Sequence, residues 1–291
     1  MKPPQFEYQR VLTIEDAIEA LATNESTAIL AGGQSLIPTL NFRLGMPDNL
    51  IDISRIPSLS QIELTETEIT IGAMVRQRQV ELHDDIKQAN PILRETLAHV
   101  AHLVIRNRGT LVGSLAHADA AAELPAVLLA CGGRVVVVGP NGERSIAADD
   151  FFRFHLTTDL KPNELITAAS FPVLPPDAGW AFGEMARRRG DYAIAGVCVI
   201  LRIDSSGNCT DANLGACGIA SRPVRLLEAE RILIGNRLEV DVIDAAGEAA
   251  REAVQAPDDN QASLAYRQQV LATLVRRNVA RAAARAGAPH E

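Results

Sequence analysis

The chain has 291 residues, of which 47% are hydrophobic and 22% charged, as is usual for a globular protein. A formal net charge of −8 argues against nucleic acid as the main partner, because phosphate binding needs a concentrated basic surface. The sequence holds no apolar run long enough to span a membrane, and its start, MKPPQFEYQR, lacks the apolar core of a signal peptide. We therefore expect a cytoplasmic protein with no membrane span.

The first part of the chain reads as alternating helix and strand. Residues 12–22 have helical spacing with Thr13 as N-cap, and the apolar run 27–31 predicts a buried strand. That run leads directly into Gly32-Gly33-Gln34-Ser35 and then into a second helical pattern, LIPTLNFRL. A strand that ends in a double glycine lets a ligand approach the main chain closely, although an ordinary tight turn has the same pattern.

The middle of the chain is mixed, and the last third is largely helical. We predict strands at 49–53 and 69–73 joined through the polar stretch 63–68, helices at 77–83 and 91–103, and a strand at 134–139 followed by a Pro140-Asn141-Gly142 hairpin turn. VLPPDAG at 173–179 indicates a joint between domains. Beyond it we predict a hairpin of strands 195–203 and 209–219 and helices at 224–234, 240–254 and 262–286.

Residues 105–125, IRNRGTLVGSLAHADAAAELP, show neither helical nor strand periodicity. Gly109 and Gly113 remove side chains, while a set of polar residues supplies hydroxyl, imidazole and carboxylate groups: Thr110, Ser114, His117, Asp119 and Glu123. An apolar helix follows, with Pro125 in its first turn and a stop at Gly132-Gly133. A polar loop before a helix N-terminus suits an anion such as a pyrophosphate.

Other chemistry is weakly encoded. The chain has no nucleoside-triphosphate P-loop, Rossmann glycine motif, nucleophile elbow or H-E-x-x-H metal helix. His99 and His102 could join His117 at a metal, but such residues more often serve packing and hydrogen bonding. Asp119 and Glu123 could form an acid/base pair, although hydrogen bonding to a ligand is the simpler role. The run 187–189 of three arginines reads as a solvated face.

The four cysteines, Cys131, Cys198, Cys209 and Cys217, are far apart and form no C-x-x-C pair. This spacing favours reduced thiols in or near the core over a zinc ribbon or an iron-sulfur cluster.

Taken in order, the segments AGGQSLIPTLNFRL, LIDI, TIGA, IRNRGTLVGSLAHADAAAELP and RRRGDYAIAGV resemble the FAD-binding medium subunit of molybdenum hydroxylases, the xanthine dehydrogenase and carbon monoxide dehydrogenase type enzymes. The C-terminal segment YRQQVLATLVRR is also similar to that subunit, so the resemblance covers essentially the whole chain.

The resemblance implies an α+β protein with a PCMH/VAO-type FAD-binding fold. Residues 1–175 would form the FAD-binding domain, from two α/β subdomains at about 1–55 and 56–175. Residues 176–291 would form a C-terminal domain with a three-stranded antiparallel sheet and helices.

The resemblance also implies the cofactor contacts. Ala31 to Ser35 match the first pyrophosphate loop, and Thr110, Gly113 and Ser114 match the second; Val112 and Ala120 depart from the usual glycine and proline. Because valine disfavours a positive φ, we expect either a distorted turn or a contact that passes from that position to Gly113. The full set of implied FAD-binding residues is Ile29, Leu30, Ala31, Gly32, Gly33, Gln34, Ser35, Leu36, Gly109, Thr110, Gly113, Ser114, Ala118, Asp119, Glu123, Leu124, Ile166 and Tyr192, with no catalytic residue and no metal ligand.

The implied function is electron transfer. Substrate would be hydroxylated at a molybdopterin cofactor in a large subunit, and electrons would cross two [2Fe-2S] clusters in a small subunit to reach FAD on this chain, in a dimer of heterotrimers. A flavin relay needs no protein nucleophile, because the cofactor carries the redox chemistry. Two alternatives remain open: a stand-alone PCMH-type flavin oxidase, with FAD linked through His117, and a scaffold subunit without flavin.

Overall fold

The first sheet is a small parallel one near the N-terminus. The computed structural model describes residues 2–24 and 26–286. The elements of the first subdomain are β1 (Glu7–Arg10), α1 (Ile14–Thr23), β2 (Thr27–Leu30), α2 (Leu36–Asn41) and β3 (Asn49–Asp52), and its strands lie in the order β1-β3-β2. The Thr13 hydroxyl accepts a hydrogen bond from Asp16 N and begins α1, which confirms the predicted cap. Strand β1 is outside our predictions, because its residues EYQR are all exposed and show no apolar alternation.

The second subdomain is built on an antiparallel sheet. Its strands are β4 (Ile62–Leu64), β5 (Glu68–Gly72), β6 (Arg134–Gly139), β7 (Gly142–Ala147), β8 (Phe152–Phe154), β9 (Thr157–Thr158) and β10 (Leu165–Pro172). Five of them form a sheet in the order β4-β5-β10-β6-β7, and β8 pairs with β9. The predicted β6-β7 hairpin is confirmed, with Gly142 at φ +96° in its turn. The stretch 63–68, predicted as a connection, contributes to β4 and begins β5.

Six of the seven helices between residues 77 and 151 lie in the long connection between β5 and β6. They are α3 (Gln77–Leu82), α4 (Asp84–Ala89), α5 (Pro91–Leu97), α6 (Leu103–Arg106), α7 (Leu111–His117) and α8 (Glu123–Cys131), and α9 (Ala148–Phe151) follows β7. The predicted helix at 91–103 ends at Leu97, and Ala101 takes a left-handed φ of +44° before α6. The stretch 105–125, which shows no periodicity, contains all of α7.

The C-terminal part pairs a sheet with three helices. Its elements are β11 (Gly179–Met185), β12 (Ala195–Ile203), β13 (Cys209–Cys217), β14 (Val224–Arg225), α10 (Leu227–Leu233), α11 (Val240–Glu252) and α12 (Leu264–Arg285). The antiparallel sheet has four strands, not the three expected, because Val224 and Arg225 add to the edge of β13 where a helix was predicted to start. The hairpin of β12 and β13 is confirmed, and α12 packs over the sheet.

The two parts are joined by a charged contact. Glu95 on α5 accepts a hydrogen bond from Phe182 N on β11 at 2.9 Å, and its two oxygens lie 2.7 Å from Arg281 and 2.7 Å from Arg285 of α12. This contact fixes α5 and the loop after it against the C-terminal sheet. None of the helices in 2–24 and 26–286 is long and apolar enough to cross a membrane.

Candidate functional site

The first glycine loop leaves the parallel sheet at the end of β2. Gly33 has a φ of +72°, a conformation that glycine adopts without strain. The backbone then begins α2, with Ile37 N donating to Gly33 O at 3.0 Å. Within the described chain, no atom accepts a hydrogen bond from the amide N–H of Gly33, Gln34 or Ser35. Consecutive free N–H groups in a turn are suited to binding an anion.

The second glycine loop lies directly against the first. A Cβ on Gly32 would come within 2.7 Å of Arg108 O, 2.8 Å of Gly109 Cα and 2.9 Å of Thr110 N, so only glycine fits this contact. The Thr110 hydroxyl accepts a hydrogen bond from Gly113 N at 2.9 Å and caps α7. A Cβ on Gly113 would lie 2.5 Å from that hydroxyl oxygen, so the cap also depends on glycine.

Val112 lies inside α7, and its side chain is 2% exposed in the core. The departure from the usual glycine therefore produces an ordinary helical turn with a buried valine. The N–H of Gly113 donates to the Thr110 hydroxyl, so a contact of that N–H with the cofactor stays a prediction.

A cavity of about 660 Å³ lies between the two loops. A second cavity of about 540 Å³ shares residues 31–34 of the first loop with it. Volumes of this size are typical of sites for small molecules and cofactors. The predicted residues that line the first cavity are Ile29, Ala31, Gly32, Gly33, Gln34, Ser35, Leu36, Gly109, Thr110, Gly113, Ser114, Glu123 and Tyr192, and Leu30 lines the second.

Four predicted residues lie outside the two cavity walls. Ala118, Leu124 and Ile166 are buried in the hydrophobic core. Asp119 accepts a hydrogen bond from Ala121 N at 2.9 Å, and its charge acts on Glu123 and Tyr192. A direct cofactor contact by these four residues stays a prediction.

Glu123 is the buried acid of the cavity. It is the first residue of α8 and is 4% exposed. Burial raises its pKa to about 8, and the charges of Glu184 and Asp119 act in the same direction. At neutral pH this carboxyl therefore holds its proton and can donate a hydrogen bond to a ligand.

Two aromatic groups complete the polar side of this cavity. Tyr192 is about half exposed as a residue. Burial of its hydroxyl raises the pKa to about 12, and the negative charge of Asp119 acts in the same direction, while a hydrogen bond with Ser35 lowers the pKa. Burial lowers the pKa of His117. The charge of His155 lowers it further, and the negative charge of Asp119 acts in the opposite direction. Both rings are consequently neutral at pH 7.

The second cavity carries positive charge. Arg10, Arg76 and Arg108 line it together with Asp52. Burial favours neutral Asp52, but hydrogen bonds from Tyr8, Ser54 and Arg10 outweigh it and lower the pKa of Asp52 to about 2. Three guanidinium groups against one carboxylate leave an excess of positive charge beside the first glycine loop, which suits a phosphate group.

Several wall residues are absent from the predicted set. Gln77 is 5% exposed, and its Oε1 has no hydrogen-bond partner in the described chain. Its backbone N–H donates to Gly109 O at 2.9 Å, which places it beside the second loop. Gly190 reaches the wall at φ +85°, and the GDY segment was the available sequence signal for it. Nothing local in the sequence distinguishes Gln77 or Arg76 from surface residues.

The alternative metal site is not formed. His99 and His102 fall in the turn after α5 and not on one helix, and the described residues contain no group of three side chains that could hold a metal. The four thiols are free: Cys198, Cys209 and Cys217 are buried and Cys131 is partly so, as expected from their spacing.

The site fits a dinucleotide such as FAD. Two glycine loops packed against each other form one wall of a roomy cavity. Three N–H groups without a partner among the described residues, together with an arginine cluster, suit the pyrophosphate, and the buried side-chain amide of Gln77 has an acceptor oxygen unused within that part of the chain. The fold and the cavity thus define a dinucleotide-binding class of protein.

Comparison with known proteins agrees with this class. Residues 4–174 match the family model of the FAD-binding domain in molybdopterin dehydrogenase, and residues 180–282 match the C-terminal domain of the CO dehydrogenase flavoprotein. The chain is 44% identical over 287 residues to the 6-hydroxypseudooxynicotine dehydrogenase complex subunit alpha of Paenarthrobacter nicotinovorans, covering 98% of this chain and 97% of that one. It is 36% identical to the carbon monoxide dehydrogenase medium chain of Afipia carboxidovorans, covering 98% and 99%.

Solved structures show the same likeness. Carbon monoxide dehydrogenase from Hydrogenophaga pseudoflava superimposes with a TM-score of 0.96 at 32% identity, covering 99% of this chain and 100% of that chain. Quinoline 2-oxidoreductase from Pseudomonas putida 86 gives 0.94 at 34% identity, covering 98% and 99%. The chain belongs to the family of FAD-binding medium subunits of molybdenum hydroxylases, and it is an oxidoreductase subunit. This confirms the family, the fold class and FAD as the cofactor of this chain.

Proposed function

We propose that this chain is the electron-transfer subunit of a heterotrimer. It receives electrons from [2Fe-2S] clusters of a small subunit, holds them on FAD and passes them to an external acceptor. The observation that carries the proposal is the contact of Gly32 with Gly109, which brings two loops 77 positions apart in the chain together on one cavity. Bound FAD supplies the redox chemistry, and the chain supplies binding, orientation and a shielded environment.

The residues that line the two cavities would bind different parts of the cofactor. The N–H groups of Gly33, Gln34 and Ser35, with the guanidinium groups of the second cavity, would hold the pyrophosphate. Glu123 and Gln77, on the wall of the first cavity, would hydrogen-bond the polar groups of the cofactor, and Tyr192 would lie against its ring.

The partners follow from the relatives. Their names describe a complex subunit alpha and medium chains, which are parts of larger enzymes. We propose a large molybdenum subunit, which would select the organic substrate, a small [2Fe-2S] subunit, and a dimer of such heterotrimers in the cytoplasm. The cysteines of this chain are spread over the fold as core residues, which is consistent with clusters held elsewhere.

The role of FAD as a relay can be tested in the assembled complex. Gly32→Ala should yield a complex whose iron-sulfur clusters are still reduced by dithionite but whose electrons no longer reach acceptors such as NAD⁺ or oxygen. Gly45→Ala is the matched control, because a Cβ there meets its nearest neighbour at an ordinary 3.5 Å. Undiminished acceptor reduction by a flavin-free Gly32→Ala complex would refute the relay.

A further inference from the structure

The C-terminal part of the chain contributes one short segment to the wall of the first cavity. Gly190 and Tyr192 are the only described residues beyond β10 that line this cavity. They belong to residues 190–194, which we call the wall segment and which lead into β12. The wall segment forms neither helix nor strand, so specific contacts must hold it in place.

One end of the wall segment packs against the FAD-binding part of the chain. Gly190 has a φ of +85°, and a Cβ there would lie 2.9 Å from both C and O of Ala101, in the turn after α5. Ala101 lines the first cavity as well. Further along, Ala193 N donates to Ala121 O at 3.4 Å. Tyr192 therefore lies between two points at which the backbone is held.

A buried guanidinium group holds the other end of the wall segment. Arg267, in the first turn of α12, is 5% exposed. Its Nη1 donates to Ile194 O at 2.5 Å and to Gly218 O at 2.8 Å, and its Nη2 pairs with the carboxylate of Asp259 at 2.7 Å. A single side chain thus joins the wall segment, the end of β13 and the loop before α12.

Gly218 brings the end of β13 close to the wall segment. It has a φ of +75°, and a Cβ there would lie 2.7 Å from both Ala193 O and Ile194 O. Its N–H donates to Ala120 O at 2.8 Å. Because Ile194 and Gly218 accept hydrogen bonds from the same nitrogen of Arg267, the guanidinium group determines how the wall segment lies against the end of β13.

A buried cation is a poor source of stability. Removing a guanidinium group from water carries a large desolvation cost, which its contacts only partly recover. The Nε of Arg267 also lacks a hydrogen-bond partner among the described residues, and this adds to the cost. A planar group that fixes two carbonyl oxygens at once has a geometric role that an apolar side chain cannot take over.

We propose that Arg267 is a positioning residue for the flavin: its guanidinium group fixes the wall segment and thereby the place of Tyr192 in the cavity. The proposal rests on the proposed function, in which Tyr192 lies against the ring of the cofactor. Arg267 is absent from the described residues that line the two cavities, so it acts on the flavin only through the wall segment.

The test uses the FAD-loaded complex and two readouts. Hydrogen–deuterium exchange with mass spectrometry reports local opening of the wall segment, and exchange of β5 and β10 reports the fold as a whole. Flavin reoxidation by oxygen is followed after reduction with dithionite. Because dithionite supplies the electrons, this measurement does not depend on the relay from the partner subunit, and a failure of the proposed function is seen separately.

Arg267→Gln should raise exchange in the wall segment at least about tenfold, since it removes hydrogen bonds from a charged donor. FAD content should stay near the unmodified level, and the reoxidation rate should change at least about threefold, in the same direction as in Tyr192→Ala. Residues of one network are coupled, so Arg267→Gln should have no further effect on reoxidation in the Tyr192→Ala background.

Arg276→Gln is the matched control on the same helix. Arg276 pairs with Asp244 and Glu248 of α11, away from the wall segment, so its replacement should change neither readout. Asp259→Asn is a milder second variant: it removes the charge that pairs with Arg267 and should shift both readouts in the same direction by less.

Unchanged exchange of the wall segment in Arg267→Gln would overturn the proposal, and so would an unchanged reoxidation rate. An equal rise of exchange in β5 and β10 would indicate a general structural role and would also overturn it. A full effect of Arg267→Gln in the Tyr192→Ala background would show that Arg267 does not act through Tyr192. If Arg267→Gln fails to assemble, Asp259→Asn decides by the same criteria, because the Asp259 side chain is 45% exposed.

Discussion

Gly32 packs against the backbone of Gly109, and the lack of a side chain on Gly32 sets the distance between the two loops of the FAD site. Gly32→Ala adds a methyl group within 2.9 Å of three backbone atoms, which must move apart. We expect FAD content to fall to a small fraction of the unmodified level, and the flavin-to-protein absorbance ratio measures it. An unchanged ratio would show that the loop contact does not position the cofactor. Gly45→Ala should keep its full FAD content.

Val112 is a core residue, so restoring the usual glycine should harm the protein. Val112→Gly removes a buried side chain and places glycine inside α7, at a combined cost of about 3 kcal/mol in the free energy of unfolding. FAD affinity should not improve. Urea unfolding and flavin titration measure the two effects, and tighter FAD binding in the variant would mean that Val112 distorts the loop.

Glu123 makes stability depend on pH. The pKa of the Glu123 carboxyl is about 8 in the folded protein and near 4.5 in the unfolded chain. Between these two values the carboxyl ionises only in the unfolded chain, and this ionisation favours unfolding. The stability it contributes is fully present below pH 4.5 and is lost as pH rises to about 8, with a loss of about 3 kcal/mol at pH 7. Glu123→Gln should remove this part of the pH dependence. Thermal midpoints of the two proteins between pH 5 and pH 8 provide the measurement, and parallel curves would contradict a buried neutral Glu123.

Tyr192 lies at the cavity edge and is half exposed, so we expect it to contribute more to flavin reactivity than to FAD retention. Tyr192→Ala should change the rate of flavin reoxidation while FAD content stays near the unmodified level. Tyr192→Phe keeps the ring and loses only the hydroxyl that bonds Ser35, so it should resemble the unmodified protein. Equal loss of flavin and reactivity in Tyr192→Ala would indicate a structural role.

The mode of FAD attachment separates a relay subunit from a flavin oxidase with a covalent link. His117 lines the cavity and is neutral, so a bond to the flavin is chemically feasible there. For a relay subunit we expect non-covalent binding, with all yellow colour in the supernatant after acid precipitation. Flavin that stays with the pellet, and is lost from the pellet in His117→Ala, would support the oxidase.

Local sequence indicated the two glycine loops through a strand ending in Gly32-Gly33 and a polar stretch without periodicity around Thr110. Because an ordinary tight turn has the first pattern, the pairing of the two loops at one cofactor came from the family resemblance. It did not predict β1, whose residues EYQR are exposed, or β14, a short edge strand within an expected helix. The end of α5 was placed too late, since apolar spacing continues past Leu97 where Ala101 breaks the helix.

The relationships between distant residues required the fold. Gln77 reaches the second loop, and Glu184 converges with Cys217 over Gly196, through sheet register and packing that no local pattern encodes. Tyr192 entered the predicted site by family resemblance, and its place on the cavity wall agrees with that prediction. Ile166 was predicted by the same resemblance and is buried in the core, so its contact with the cofactor stays a prediction.

The central claim is tested most directly by the absorption spectrum of this chain isolated from its native source, with the co-purifying polypeptides identified. We predict flavin bands together with iron-sulfur absorbance and two further subunits, the larger of which contains molybdenum. Flavin bands from a single polypeptide that turns over a substrate without partners would contradict the account.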